Sequence, residues 1–145
     1  MPRIPDFLLD SVIYLYSSQQ YAEKGERAGG TGFLVSIPAS VAGAPDALYA
    51  VTNSHVIRKG FPVIRLNNQR DAMDVLPLTA AQWKHHRDGD DIAVCPIGLQ
   101  PEHHRFFALD RTKWFMTEEE LTTNGMGPGE VFFLGRYVSH KGRLR

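Results

Sequence analysis

A series of short apolar runs constrains the fold most. Each is rich in β-branched and aromatic residues, is closed by turn formers, and is too short for a self-supporting helix. Ser11–Ser18 (SVIYLYSS), Thr31–Ile37 (TGFLVSI), Ala47–Asn53 (ALYAVTN), Pro62–Leu66, Met73–Leu78, Asp91–Ile97 (DIAVCPI) and Glu130–Val138 (EVFFLGRYV) all have this form. The breakers between them include Gly29-Gly30, Pro38–Asp46 (PASVAGAPD), Asn67–Asp71 and Asn124–Gly129 (NGMGPG). Within Thr31–Ile37 and Asp91–Ile97 the apolar residues run together, as in strands covered on both sides. Helical signals are confined to single turns: Thr79 caps Ala80–Trp83, and Thr117 with Glu120 forms a capping box. Gln19–Gly30, Lys84–Asp90 and Gly98–Arg111 read as loops. Short strands at this spacing predict an all-β barrel or sandwich.

With 145 residues and 43% of them hydrophobic, the chain can build one packed core of ordinary size. Lys and Arg number 16 against 16 Asp and Glu, so the basic excess needed to hold nucleic acid through its phosphates is missing. The single cysteine, Cys95, excludes a disulfide-stapled scaffold. Asp6 and Asp10 interrupt the N-terminal apolar stretch, so it lacks the core of a signal peptide, and no apolar run approaches the length of a membrane span. A cytoplasmic protein with no membrane partner is expected.

Three segments carry the chemistry: Gly30–Val35 (GTGFLV), Tyr49–Ile57 (YAVTNSHVI) and Asp91–Ile97 (DIAVCPI). Together they resemble the trypsin-like, chymotrypsin-fold serine peptidases, in particular the bacterial types. There, a G-T-G-F strand precedes one ending in V-T-N-x-H, and a later D-I-A-V strand supplies an aspartate. The resemblance extends in the same order to Gly129–Gly135 (GEVFFLG), similar to the strand that opens the second barrel of that family. It implies a Greek-key β-barrel over residues 8–98, an inter-barrel connection over 99–128 and the start of a second barrel over 129–145. It also implies peptide-bond hydrolysis through a Ser-His-Asp triad, with His55 as general base and Asp91 as the acid that orients it.

The residues support these roles on their own chemistry. Histidine is the side chain whose ordinary pKa suits proton transfer near neutral pH. His55 follows a strand on a short turn, and an aspartate opening the next buried strand could hold its Nδ1–H. Asp90 is the rival of Asp91; the latter is preferred because it abuts the apolar strand.

A nucleophile is missing. None of Ser11, Ser17, Ser18, Ser36, Ser40, Ser54 and Ser139 stands in a G-x-S-G segment, and Cys95, between Val94 and Pro96, reads as a small buried hydrophobe. The chain by itself is therefore expected to be inactive as an endopeptidase, its peptide or protein substrate requiring the second barrel. The alternative is a non-catalytic single-barrel module that binds a protein. If 130–138 lost its barrel partners, its apolar edge would favour self-association. His85-His86 and His103-His104 are paired histidines, but no Cys or Glu stands at ligand-like spacing beside them, so neither metal nor cofactor is expected. Trp83, Trp114 and Phe106-Phe107 read as core or as cover over loops.

Overall fold

The structure, a computed structural model, describes residues 5–125. It is mostly antiparallel β-sheet. The strands are β1 (Val12–Tyr16), β2 (Gly30–Ile37), β3 (Ala47–Thr52), β4 (Val63–Asn67), β5 (Met73–Leu76), β6 (Lys84–His85), β7 (Ala93–Ile97) and β8 (Leu109–Asp110). Four short α-helices accompany them, α1 (Gln19–Lys24), α2 (Ser54–Arg58), α3 (Arg111–Trp114) and α4 (Glu118–Asn124), with 3₁₀ turns at Asp6–Ser11 and Ala80–Gln82. The strand path runs β5-β4-β1-β2-β3-β7-β6, and its two end strands are not bonded to each other, so the sheet is open among the described residues. On the edge of β2 opposite β3, β1 pairs with the first half (Val12↔Phe33 to Leu15↔Gly30). Further along, β8 runs parallel to β2 through Val35↔Leu109 and Ser36↔Asp110.

Each apolar run read as a strand within residues 5–125 contains one, with ends shifted by a residue or two; Glu130–Val138 lies outside the described residues. Three segments read as loops hold regular structure. Within Gln19–Gly30, α1 forms because the Ser18 hydroxyl accepts the Tyr21 N–H (3.3 Å) and Ala22 packs beside Tyr16 and Val63. Lys84-His85 becomes β6 by pairing with β7, and Leu109-Asp110 becomes β8 by pairing with β2.

The core gathers Ile13 and Leu15 of β1, Leu34 of β2, Ala50 of β3, Ile64 and Leu66 of β4, and Ala93 and Cys95 of β7. Helix α2 contributes Val56 and Ile57, so one side of its single turn is buried and His55 falls on the exposed side. Its close approach depends on Gly30: a Cβ there would lie 2.8 Å from a Val56 methyl. Gly32 is tighter against backbone, since a Cβ would stand 2.4 Å from the Val51 carbonyl oxygen and 3.2 Å from Ile13. That carbonyl belongs to the β2–β3 ladder and cannot swing aside as a flexible side chain would. Gly32→Ala is therefore expected to cost about 1–3 kcal/mol, the range for overpacking. Urea denaturation checks this; an unchanged midpoint would contradict it.

Candidate active site at the ends of two paired strands

The geometry begins with register. β3 and β7 are antiparallel with Thr52 opposite Ala93, so the residues just after Thr52 emerge beside those just before Ala93. His55, on the first turn of α2, thereby meets Asp91 across a gap that sequence distance conceals. The Asp91 carboxylate grips it twice: Oδ2 lies 2.6 Å from His55 Nδ1, and Oδ1 accepts the His55 backbone N–H at 2.8 Å. Asn53 adds a third link, its Nδ2 donating to the Asp91 carbonyl at 3.1 Å. Asn53 gives α2 no side-chain cap, and Asp91 Oδ1 satisfies one of the N–H groups that such a cap would serve.

These contacts determine electrostatics and orientation. Hydrogen bonds from the His55 side chain, then from its backbone, hold the Asp91 carboxyl below its ordinary value of 3.8. The Nδ1 contact fixes the imidazole plane and leaves Nε2, on the far side of the ring, to exchange a proton. Both side chains are about half exposed, at 54% for His55 and 50% for Asp91.

A lowered carboxyl pKa has a definite sign in linkage. The bond to ionised Asp91 stabilises the fold above the unfolded-state pKa and is lost as pH falls through the lower folded value. The stability gap between the native protein and Asp91→Asn should thus narrow on acidification below about pH 4. Denaturant melts across that window check this; a gap that widens as pH falls would contradict it.

The rival carboxylate is occupied elsewhere, with Asp90 Oδ2 lying 3.2 Å from His86 Nδ1. Four of the candidate nucleophiles, Ser11, Ser18, Ser54 and Cys95, are engaged elsewhere. Ser54, its chain neighbour, is buried with its hydroxyl 2.6 Å from His85 Nδ1. Ser11 donates to the Leu8 carbonyl at 2.7 Å, and Ser18 caps α1. Cys95 lies in the core, where burial pushes its thiol pKa up and so disfavours the reactive thiolate. Ser139 lies outside the described residues.

A shallow groove runs past Asp91, lined among others by Phe33, Val51, Asn53, Ile92 and Leu109. The Asn53–Asp91 and Ser54–His85 contacts are not visible in the sequence; both follow from the β3–β7 register, because β6 extends the same sheet beyond β7. Of the histidine pairs, His103 and His104 come together with Asp74, whose Oδ2 lies 3.3 and 4.0 Å from their Nε2 atoms. Among the described residues, no helix is long and apolar enough to cross a membrane. No family model matches the chain, and neither the curated proteins nor the solved structures contain a match.

Proposed function

We propose that this chain carries the base-and-orienter half of a trypsin-like serine endopeptidase site, with His55 as general base and Asp91 holding it. The observation that carries the reading is the double contact of Asp91 with the Nδ1 and the backbone N–H of His55. Strand order supports it: β4-β1-β2-β3 is the spatial order of a Greek key, in which three consecutive strands are joined by a fourth returning beside the first. In this reading the open sheet is the first of two barrels. The half exposure of the pair supports it by leaving the pair accessible to a second barrel, which would bring the serine and its oxyanion hole. The serine would attack the peptide carbonyl, and His55 would take its proton at Nε2 and return it to the leaving amine. Asp91 would stabilise the imidazolium formed between those steps.

The test is to express this chain together with whatever reading frame follows Arg145 and to treat the product with a fluorophosphonate probe. Expected is a labelled serine within a G-x-S-G segment, with labelling reduced to background in His55→Ala. The second reading, a non-catalytic module that binds a protein, draws on the apolar groove beside Asp91 and on Ile92, which is 45% exposed. A frame without such a segment, or labelling indifferent to His55, would favour that second reading.

A further inference from the structure

We propose that Asp74, His103 and His104 form a binding site for a borderline divalent cation of the zinc class, independent of the His55–Asp91 pair. Their donor atoms, one carboxylate oxygen and two imidazole nitrogens, lie within 4.8 Å of one another. Bonds of about 2.0–2.2 Å place neighbouring donors about 3.3–3.5 Å apart in a zinc tetrahedron. His103 Nε2 and Asp74 Oδ2 already stand 3.3 Å apart, and His104 Nε2 is 4.0 Å from the same oxygen. The two rings are nearly perpendicular (86°), so they approach the carboxylate from different directions rather than stacking. Two imidazoles and one carboxylate suit zinc better than calcium or magnesium, which prefer oxygen donors throughout.

A second observation points to a ligand. Asp74 Oδ2 is shielded from solvent and makes no hydrogen bond, although it faces both imidazoles. Its other oxygen is held by Asn68 Nδ2 at 3.4 Å. The Asn68 amide is itself fixed, because its Oδ1 accepts the Arg70 and Ala72 N–H groups at 3.0 Å each. A carboxylate with one oxygen on an amide and the other facing only the two imidazoles has the form of a ligand with its outer partner in place.

The turn that carries the histidines is held in place, and so is the His104 ring. The turn is stitched to the β4–β5 hairpin: Gln69 N–H donates to the His103 carbonyl at 2.9 Å, and Arg105 N–H to the Asn67 carbonyl at 3.0 Å. Nδ1 of His104 sits 3.0 Å from the Gln100 N–H and 3.3 Å from the Gln100 carbonyl. The Gln100 N–H donates to Nδ1 here, so coordination through Nε2 requires that bond to give way to an Nδ1–H donated to the Gln100 carbonyl, the arrangement usual for a metal-bound histidine. The neighbouring cation, Arg105, has its guanidinium 2.7 Å from Asp71 and 3.5 Å from Asp10. A bound ion would clip the turn after β7 to the hairpin and leave a coordination position for water.

The test is calorimetric titration of the untagged protein with Zn²⁺, together with the visible spectrum after loading with Co²⁺. Expected is one saturable equivalent at micromolar concentration, a tetrahedral-type Co²⁺ spectrum and a Zn²⁺-dependent rise in Tm. Losing an outer partner of a ligand costs about 10–100-fold in affinity, so Asp74→Asn and His103→Gln should each cost at least that. His103 is 49% exposed, so His103→Gln leaves the core untouched and decides the matter even if Asp74→Asn folds poorly. His86→Gln should bind as the native chain does. No saturable binding, or binding that survives His103→Gln, would overturn the site and leave an ion pair.

Discussion

In a product that contains the nucleophilic serine, Asp91→Asn is expected to lower kcat by about 10⁴-fold, the loss seen when the orienting aspartate of such a triad becomes an amide. The bonding of Asp91 explains why asparagine cannot substitute here. Oδ1 accepts the His55 backbone N–H at 2.8 Å, so an asparagine that keeps this bond must turn its NH₂ towards Nδ1. Nδ1 then has to be the acceptor, which places the ring proton on Nε2, where no proton can be taken from a serine. Turning the amide over restores an acceptor at Nδ1 only by setting NH₂ against the backbone N–H. The first orientation keeps both contacts but blocks the base, the second loses one contact, and because the loss falls on the proton-transfer step KM should change much less than kcat. Steady-state kinetics of the two proteins check this; an Asp91→Asn enzyme within tenfold of native kcat would contradict the role given to Asp91.

Trp83→Ala is expected to destabilise the chain by about 3–5 kcal/mol. Trp83 is 3% exposed and belongs to the central core cluster, while its indole Nε1–H donates to the Pro62 carbonyl at 3.2 Å. Alanine would open a cavity and remove the donor from that carbonyl, two costs that add. Domains of this size have only about 5–15 kcal/mol to lose, so a large share of the stability would disappear. Trp83→Phe keeps most of the ring volume and should lose clearly less. Urea denaturation of both variants measures the difference; a Trp83→Ala shift below about 1 kcal/mol would contradict Trp83 as a core residue.

Strand content was readable because β-branched and aromatic residues report burial on a pleated surface, and turn formers mark where each strand stops. β6 and β8 left no such trace, because a two-residue strand exists only through its partner. Helix α1 was hidden for a related reason: QQYAEK has no apolar stripe, and its order comes from the Ser18 cap and the packing of Ala22 on Tyr16. The preference for Asp91 over Asp90 rested on its abutting an apolar strand, and the structure pairs Asp91 with His55 and Asp90 with His86.

Asp74 shows where sequence reading stops. It lies far from His103 and His104 along the chain, and only the stitching of the 100–105 turn to the β4–β5 hairpin brings the three together. Ser54 teaches the same lesson in reverse. Its place beside His55 in sequence suggests proximity, yet its hydroxyl bonds His85, a residue brought near by the β6–β7 pairing.

The coupling of His55 to Asp91 can be observed directly by proton and nitrogen magnetic resonance of the ¹⁵N-labelled chain near neutral pH. A 2.6 Å contact between Nδ1 and Oδ2 should give a far-downfield proton attached to His55 Nδ1. That signal should vanish in Asp91→Asn and in His55→Gln, and persist in His86→Gln. A His55 ring protonated on Nε2 alone, with no downfield Nδ1 proton in the native chain, would contradict the pairing on which the proposed function rests.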